Sequence, residues 1–223
     1  MCLILVAWKV DRGLPLVVAA NRDEYHARPA VPADYWRDRP AILAGRDLQA
    51  GGTWLGISRR GRFASVTNYR GGFDPQAKAS RGALVADFLD GAAAPEDYVR
   101  RVEAGRSGYS GFNLLVADAD ELWWISNRAD GPRRLSPGVH ALGNDLLDTP
   151  EVQDVKERFA RAPAAVEPLF ALLSTAKIVA PSYGTRCSTV LRSGAGGRLQ
   201  FAERPYDAGG TEGPTRRFEF DAA

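Results

Sequence analysis

The apolar positions of this chain come in short runs rich in Val, Ile and Leu, separated by turn residues. LILVAW (3–8) and PLVVAA (15–20) flank DRG and predict a hairpin. TWLGIS (53–58) and RFASVT (62–67) around RRG predict a second. FNLLVAD (112–118) and ELWWISN (121–127) predict a third. VHALG (139–143), RCSTVLR (186–192), RLQFAE (198–203) and RRFEFD (216–221) are further strands. Tight turns between partners imply largely antiparallel sheets. Several strands are apolar at nearly every position, so both of their faces must be covered.

Helical patterns are fewer. SRGALVADFLDG (80–91) has Ser80 as cap and stops at Gly91, and PEDYVRRVEAG (95–105) opens on proline. TPEVQDVKERFAR (149–161) has Thr149 as cap and Pro150 in its first turn; AVEPLFALLSTA (165–176) is interrupted by Pro168. Doubly covered sheets with two helix pairs predict an α+β fold in layers, helix–sheet–sheet–helix, as one domain over 1–223.

Composition narrows the function classes. The 223 residues are 45% hydrophobic and 25% charged, enough for a large core without staples. With 29 basic against 27 acidic residues, the net charge of +2 gives no basic field for nucleic acid. The densest basic knot, SRRGR (58–62), reads as the solvated tip of a hairpin. Two cysteines make no disulfide framework, and LILVAW stops at Lys9, too short for a signal core or a membrane span. The expectation is a cytoplasmic protein. The histidines, His26 and His140, lack metal-ligand spacing, and there is no CxxC, so no structural metal is expected.

Candidate chemistry begins at Cys2. A lone cysteine beside an apolar run reads as a small core residue. Its position gives a second reading. Once Met1 is removed, the same residue carries a thiol and an α-amine that can act as its base. ANRDEYHARP (20–29) places Asn21, Arg22, Asp23 and Glu24 at the end of a buried strand, where charge needs partners or solvent. Arg22 near Cys2 would favour the thiolate. In a straight strand Arg22 and Asp23 point to opposite faces, so both serve one site only where a bulge intervenes. AGGTWLG (50–56) reads as a turn before a strand, or as backbone N–H groups offered to an anion. Asn68 and Arg70 in TNYRGG, Asn144 in LGNDLLDTP, and Arg186 with Cys187 in YGTRCSTVL are the remaining polar strand ends.

These motifs occur together and in order: Cys at position 2, PLVVAANRDE, ILAGRD, GGTWLG, TNYR, SRGALVADFL, GFNLLVAD, LLDTP and YGTRCSTVL. In this the chain resembles the NRDE family, whose eukaryotic members are called transport and Golgi organisation protein 2, from residue 2 to about 206. The resemblance implies the four-layer αββα sandwich of N-terminal nucleophile hydrolases, and is nearest to choloylglycine and penicillin V amidases. It makes Cys2 the nucleophile, its α-amine the base and Asp23 the group holding that amine. Asn144 is then the oxyanion donor and Arg186 a site arginine. Arg22 stands in for an arginine whose usual position is Ala20 here, and Gly143 and Cys187 stand where serines are usual. The activity implied is hydrolysis of a non-peptide C–N bond in a small molecule, with no cofactor required. The family's link to haem mobilisation implies an alternative, a carrier of haem or another hydrophobic acid. Arg22, Arg70 and Arg186 would then meet carboxylates, Trp36, Trp54 or Tyr69 would pack on the ring, and Cys2, His26 or His140 would be the axial ligand.

Overall fold

The computed structural model of the chain describes residues 2–223. In chain order the strands are β1 (Leu3–Trp8), β2 (Leu16–Tyr25), β3 (Ala30–Tyr35), β4 (Ile42–Asp47), β5 (Leu55–Ser58) and β6 (Phe63–Asn68). Two helices follow, α1 (Arg81–Asp90) and α2 (Pro95–Ala104). Then come β7 (Phe112–Ala117), β8 (Leu122–Ser126), β9 (Arg133–Arg134) and β10 (Gly138–Leu142). The second helix pair is α3 (Gln153–Arg161) and α4 (Val166–Ser174), and β11 (Tyr183–Ser193), β12 (Arg198–Pro205) and β13 (Arg216–Asp221) close the chain.

The chain forms two compact units, each discontinuous in sequence. One holds Met1–Arg28, Pro137–Gly143 and Leu147–Ala222; the other holds Pro29–Ser136, Asn144–Leu146 and Ala223. The first is built on a six-stranded sheet ordered β10-β1-β2-β11-β12-β13. The second is built on a seven-stranded sheet ordered β3-β4-β5-β6-β7-β8-β9. Every pairing is antiparallel, as the tight turns predicted.

In the first unit α3 and α4 pack on one face of the sheet. Phe159, Leu169, Phe170 and Leu173 meet Leu3, Leu5, Val17, Ala19 and Val190 there. These strand residues alternate, so Ile4, Val6 and Val18 belong to the opposite face, and they are buried as well. In the second unit α1 and α2 cover one face of the sheet through Val85, Phe88, Leu89 and Val99, set against Ile42, Ala64, Leu114 and Ile125. Every residue of β7 and β8 is buried, which accounts for their unbroken apolar runs.

The predicted helices are present with adjusted ends. Ser80 is the N-cap residue of α1 but makes no side-chain capping bond. Pro150 opens a short 3₁₀ turn, Pro150–Val152, and the α-helix begins only at Gln153. Pro168 does not break α4, because the helix starts at Val166 and a proline in the first turn removes no intrahelical bond. One expectation is corrected. Arg62, placed on a solvated hairpin tip, is 8% exposed. The turn read at AGGTWLG is present: Gly51 N–H donates to Asp47 O at 2.9 Å, and Gly52 is buried against the backbone of Gly82, where an added Cβ would lie 2.4 Å from the Gly82 carbonyl carbon.

Candidate functional site

The first unit gathers most of the expected residues at one end of its sheet. β1 pairs with β2 from Leu3 opposite Asn21, and Cys2 stands one residue beyond that pair. Arg22 is in register with Cys187 on β11. Cys2 just ahead of β1, Arg22 on β2 and Cys187 on β11 therefore lie at one end of three neighbouring strands, with Arg22 on the middle one. Both cysteines are free. Two strand spacings, roughly 9–10 Å, are too far for a disulfide between them.

The Cys2 thiol is tied to the main chain of Asp23. Its S–H donates to Asp23 O at 3.3 Å, and Asp23 N–H donates back to Sγ at 3.4 Å. The Asp23 carboxylate is held from β11, where Thr185 Oγ1 donates to Asp23 Oδ1 at 2.6 Å. The Tyr183 hydroxyl donates to Asp23 O at 3.2 Å. Asp23 and Thr185 are both buried. The bulge that would bring Arg22 and Asp23 to one face is absent from β2; an irregularity lies in the partner strand instead. β2 runs unbroken to Tyr25, and the register shifts on β11 between Thr185 and Cys187. Arg186 is the extra residue. Such an insertion re-aims a side chain. Here Arg186 Nη1 donates to Tyr25 O at 3.0 Å and His26 O at 3.1 Å, tying the bulge to the chain that leaves β2.

Asn21, expected to bind ligand, spends its amide inside the protein. Nδ2 donates to Leu173 O on α4 at 3.0 Å, and Oδ1 accepts from Ser188 Oγ at 2.6 Å. The histidines proposed as axial ligands are likewise engaged. His26 Nε2 lies 3.0 Å from Ala180 O, and His140 Nδ1 lies 3.2 Å from Asp148 Oδ2. Among the described residues no group of three or more His, Cys, Asp or Glu is arranged to hold a metal ion.

The electrostatics correct one expectation. Burial, followed by the negative charge of Asp23, pushes the Cys2 thiol up to about 11. Arg22 acts in the opposite direction, as anticipated, but it is outweighed. Burial and Glu203 raise the Cys187 thiol too. In this state both sulfurs are neutral thiols, and Cys2 needs a base to become a nucleophile. Whether Met1 is removed, which would create that base, lies outside the described residues.

The second unit holds the other expected residues. Asn144 Nδ2 donates to Asn68 O at 2.8 Å, and Asn144 O accepts Arg70 N–H at 2.6 Å. One amide hydrogen of Asn144 is thus used for positioning and the second remains. Asn113 anchors the same segment: its Nδ2 donates to Asp145 O at 2.9 Å and to Thr67 Oγ1 at 3.2 Å. Trp54 lies over Gly45, where a Cβ would meet its ring at 2.3 Å, so the indole packs on β4. Sequence reasoning missed Asn113, Thr185 and Tyr183. The first had a legible signal, an amide inside the apolar run FNLLVA. Thr185 looked like any β-branched strand residue.

Two antiparallel sheets and four helices make this an α+β protein. Two solved structures share the fold. A Caenorhabditis elegans N-acylethanolamine-hydrolyzing acid amidase ortholog matches at TM-score 0.57 and 14% identity, covering 85% of this chain and 92% of that one. The C2A mutant of a conjugated bile acid hydrolase from Clostridium perfringens matches at TM-score 0.54 and 9% identity, covering 99% and 92%. Residues 1–175 match the family Transport and Golgi organisation 2. The Transport and Golgi organization protein 2 homolog of Bos taurus is 35% identical over 85% of this chain and 86% of its own length. The chain belongs to the Transport and Golgi organisation 2 family.

Proposed function

We propose that this protein is a cysteine amidohydrolase that cleaves a non-peptide C–N bond in a small linear amide, with Cys2 as nucleophile. One observation carries the reading: Cys2 Sγ is bonded to both main-chain groups of Asp23, whose carboxylate is itself fixed by Thr185. A structural cysteine needs no such arrangement. Two free cysteines suit a reducing, cytoplasmic setting.

In the proposed reaction Met1 is first removed, leaving an α-amine on Cys2 with a reference pKa of about 7.7–8.0. The amine takes the thiol proton, and the sulfur attacks the amide carbonyl carbon. The negative charge that develops on the carbonyl oxygen needs N–H donors, the role the resemblance implies for Asn144. The Cys2 ammonium passes its proton to the leaving nitrogen, the C–N bond breaks and the amine product departs. A water molecule, deprotonated by the same amine, then attacks the thioester carbon. Sulfur leaves and recovers its proton, and the products are one carboxylic acid and one amine. The Asp23 carboxylate favours the charged form of the amine, and so favours the proton transfer that activates sulfur. Arg22 lowers the cost of the thiolate from the next strand. Arg186 is a positioning residue that braces the bulge.

The fold neighbours support amide chemistry by what they are, an amidase and a hydrolase of conjugated bile acids, the latter studied with its own Cys2 replaced. The carrier reading gains no such support, since Cys2, His26 and His140 are each engaged within the protein. The test begins with the intact mass of protein from its native host, which should lack Met1. A panel of N-acyl-aminomethylcoumarin amides should then release fluorophore with the wild type and none with Cys2→Ala of unchanged circular dichroism. Retained Met1, or activity in folded Cys2→Ala, overturns the proposal.

A further inference from the structure

The cleft between α1 and α2 is lined by a buried cation that makes no close ion pair among the described residues. Arg62 is 8% exposed. Its Nε donates to Phe88 O at 3.1 Å, its Nη2 donates to Ala93 O at 2.6 Å, and its guanidinium carbon lies 3.9 Å from the centre of the Phe88 ring. The bonds to carbonyls at and beyond the C-terminal turn of α1 explain why the side chain turns inward. They do not neutralise it. Among the described residues Nη1 has no protein acceptor and no carboxylate lies within ion-pair distance of Arg62; the charge of Asp118 reaches it only from farther away, and burial outweighs it. Asp87, the acidic residue on the cleft wall, lies 2.8 Å from Arg39 instead. A desolvated guanidinium left in this state favours an anion.

The space beside it suits one. The cleft has a volume of about 460 Å³, within the range of small-molecule sites. Leu84, Tyr98, Val102 and Tyr109 form apolar and aromatic walls, and Arg101 stands at the rim with its guanidinium carbon 5.6 Å from the Tyr98 ring centre. Tyr98 commits its hydroxyl to Leu84 O at 2.7 Å, so it offers the cleft its ring rather than its hydroxyl.

We propose that this cleft binds a small organic anion, a carboxylate on an apolar or aromatic body, with its charge on Arg62 and Arg101 and its body against Tyr98 and Val102. The site lies within the second unit and does not rest on the chemistry of Cys2.

The probe is 2-naphthoate, compared with neutral 2-naphthamide by isothermal titration calorimetry in a Cys2→Ala background. The expected result is one saturable site for the carboxylate, with the amide weaker by at least about tenfold. Arg62→Gln should weaken the carboxylate by a similar factor and leave the amide unchanged. Because that variant also loses bonds to α1, Ala92→Trp serves as the second: Ala92 is exposed on the cleft wall, and an indole there should abolish binding without disturbing the fold. Equal affinity for carboxylate and amide, full binding by Ala92→Trp, or no saturable binding of 2-naphthoate at millimolar concentration overturns the proposal.

Discussion

Thr185 Oγ1 and Asp23 Oδ1 lie 2.6 Å apart across β11 and β2, and a third group shares the threonine oxygen. Ile178 N–H donates to the same threonine oxygen at 2.9 Å. The threonine hydroxyl thus accepts from the main chain and gives its one proton to Asp23 Oδ1. Thr185 is 1% exposed and Asp23 3%, so neither can turn to water instead. Thr185→Val keeps the shape but strands a carboxylate oxygen and a backbone N–H. It should cost about 2–3 kcal/mol in urea unfolding, and Thr185→Ser, which keeps the hydroxyl, about 1 kcal/mol or less. Equal losses in the two variants would show that the methyl group, not the hydroxyl, matters here.

The Cys2 thiol, raised to about 11 by burial and by the charge of Asp23, should alkylate slowly at neutral pH when Met1 is retained. An N-terminal extension that blocks processing isolates this state. In a Cys187→Ala background, the rate with iodoacetamide followed by mass spectrometry should still be rising at about pH 10. Asp23→Asn removes a charge that opposes the thiolate, so its profile should shift to lower pH. A shift to higher pH would mean that Asp23 acts on Cys2 mainly through position.

Asp148 should make stability depend on acid. Burial raises its carboxyl, but bonds from His140, Lys156 and the Ala141 N–H outweigh that and hold it at about 2. A carboxyl depressed in the folded state contributes stability that is complete above its unfolded value near 4 and is lost as pH falls through about 2. Asp148 has φ 60°, a conformation asparagine tolerates well, so Asp148→Asn tests the charge with little backbone strain. The variant should be less stable by about 1–2 kcal/mol at pH 7. In thermal melts that gap should close near pH 2. A gap of constant size would rule out the charge as its source.

Gly52 and Gly51 should respond to alanine by very different amounts despite being neighbours. A Cβ on Gly52 would lie 2.4 Å and 2.6 Å from the carbonyl atoms of Gly82, where the turn meets the start of α1. Main chain cannot yield as a side chain would, so Gly52→Ala should cost about 3 kcal/mol or more. Gly51 has φ 77° but open space around its Cβ position. Gly51→Ala should cost only about 1 kcal/mol, the penalty of the left-handed conformation. Chemical denaturation of both variants distinguishes steric contact from conformational strain.

Periodicity alone determined the three tight hairpins, both helix pairs and the α+β class, because short apolar runs and turn residues are local signals. It missed β3, β4 and the two-residue β9. β3 is an edge strand containing Pro32, largely exposed, and so lacks the apolar run that marks a strand. The motif order also singled out Cys2, Asp23 and Arg186, which do meet at one end of the first unit's sheet. What that neighbourhood does to the thiol could be decided only by the folded chain. The sequence reads Arg22 as a charge beside Cys2, but it does not reveal how far the sulfur is removed from water, and burial proved the larger effect. The Arg186 bulge, the Thr185 bond, the inward turn of Arg62 and the Gly52–Gly82 contact are likewise tertiary. Each depends on the register of strands or the seating of a helix distant in sequence, and pairwise distance across such a gap leaves no trace in composition or period.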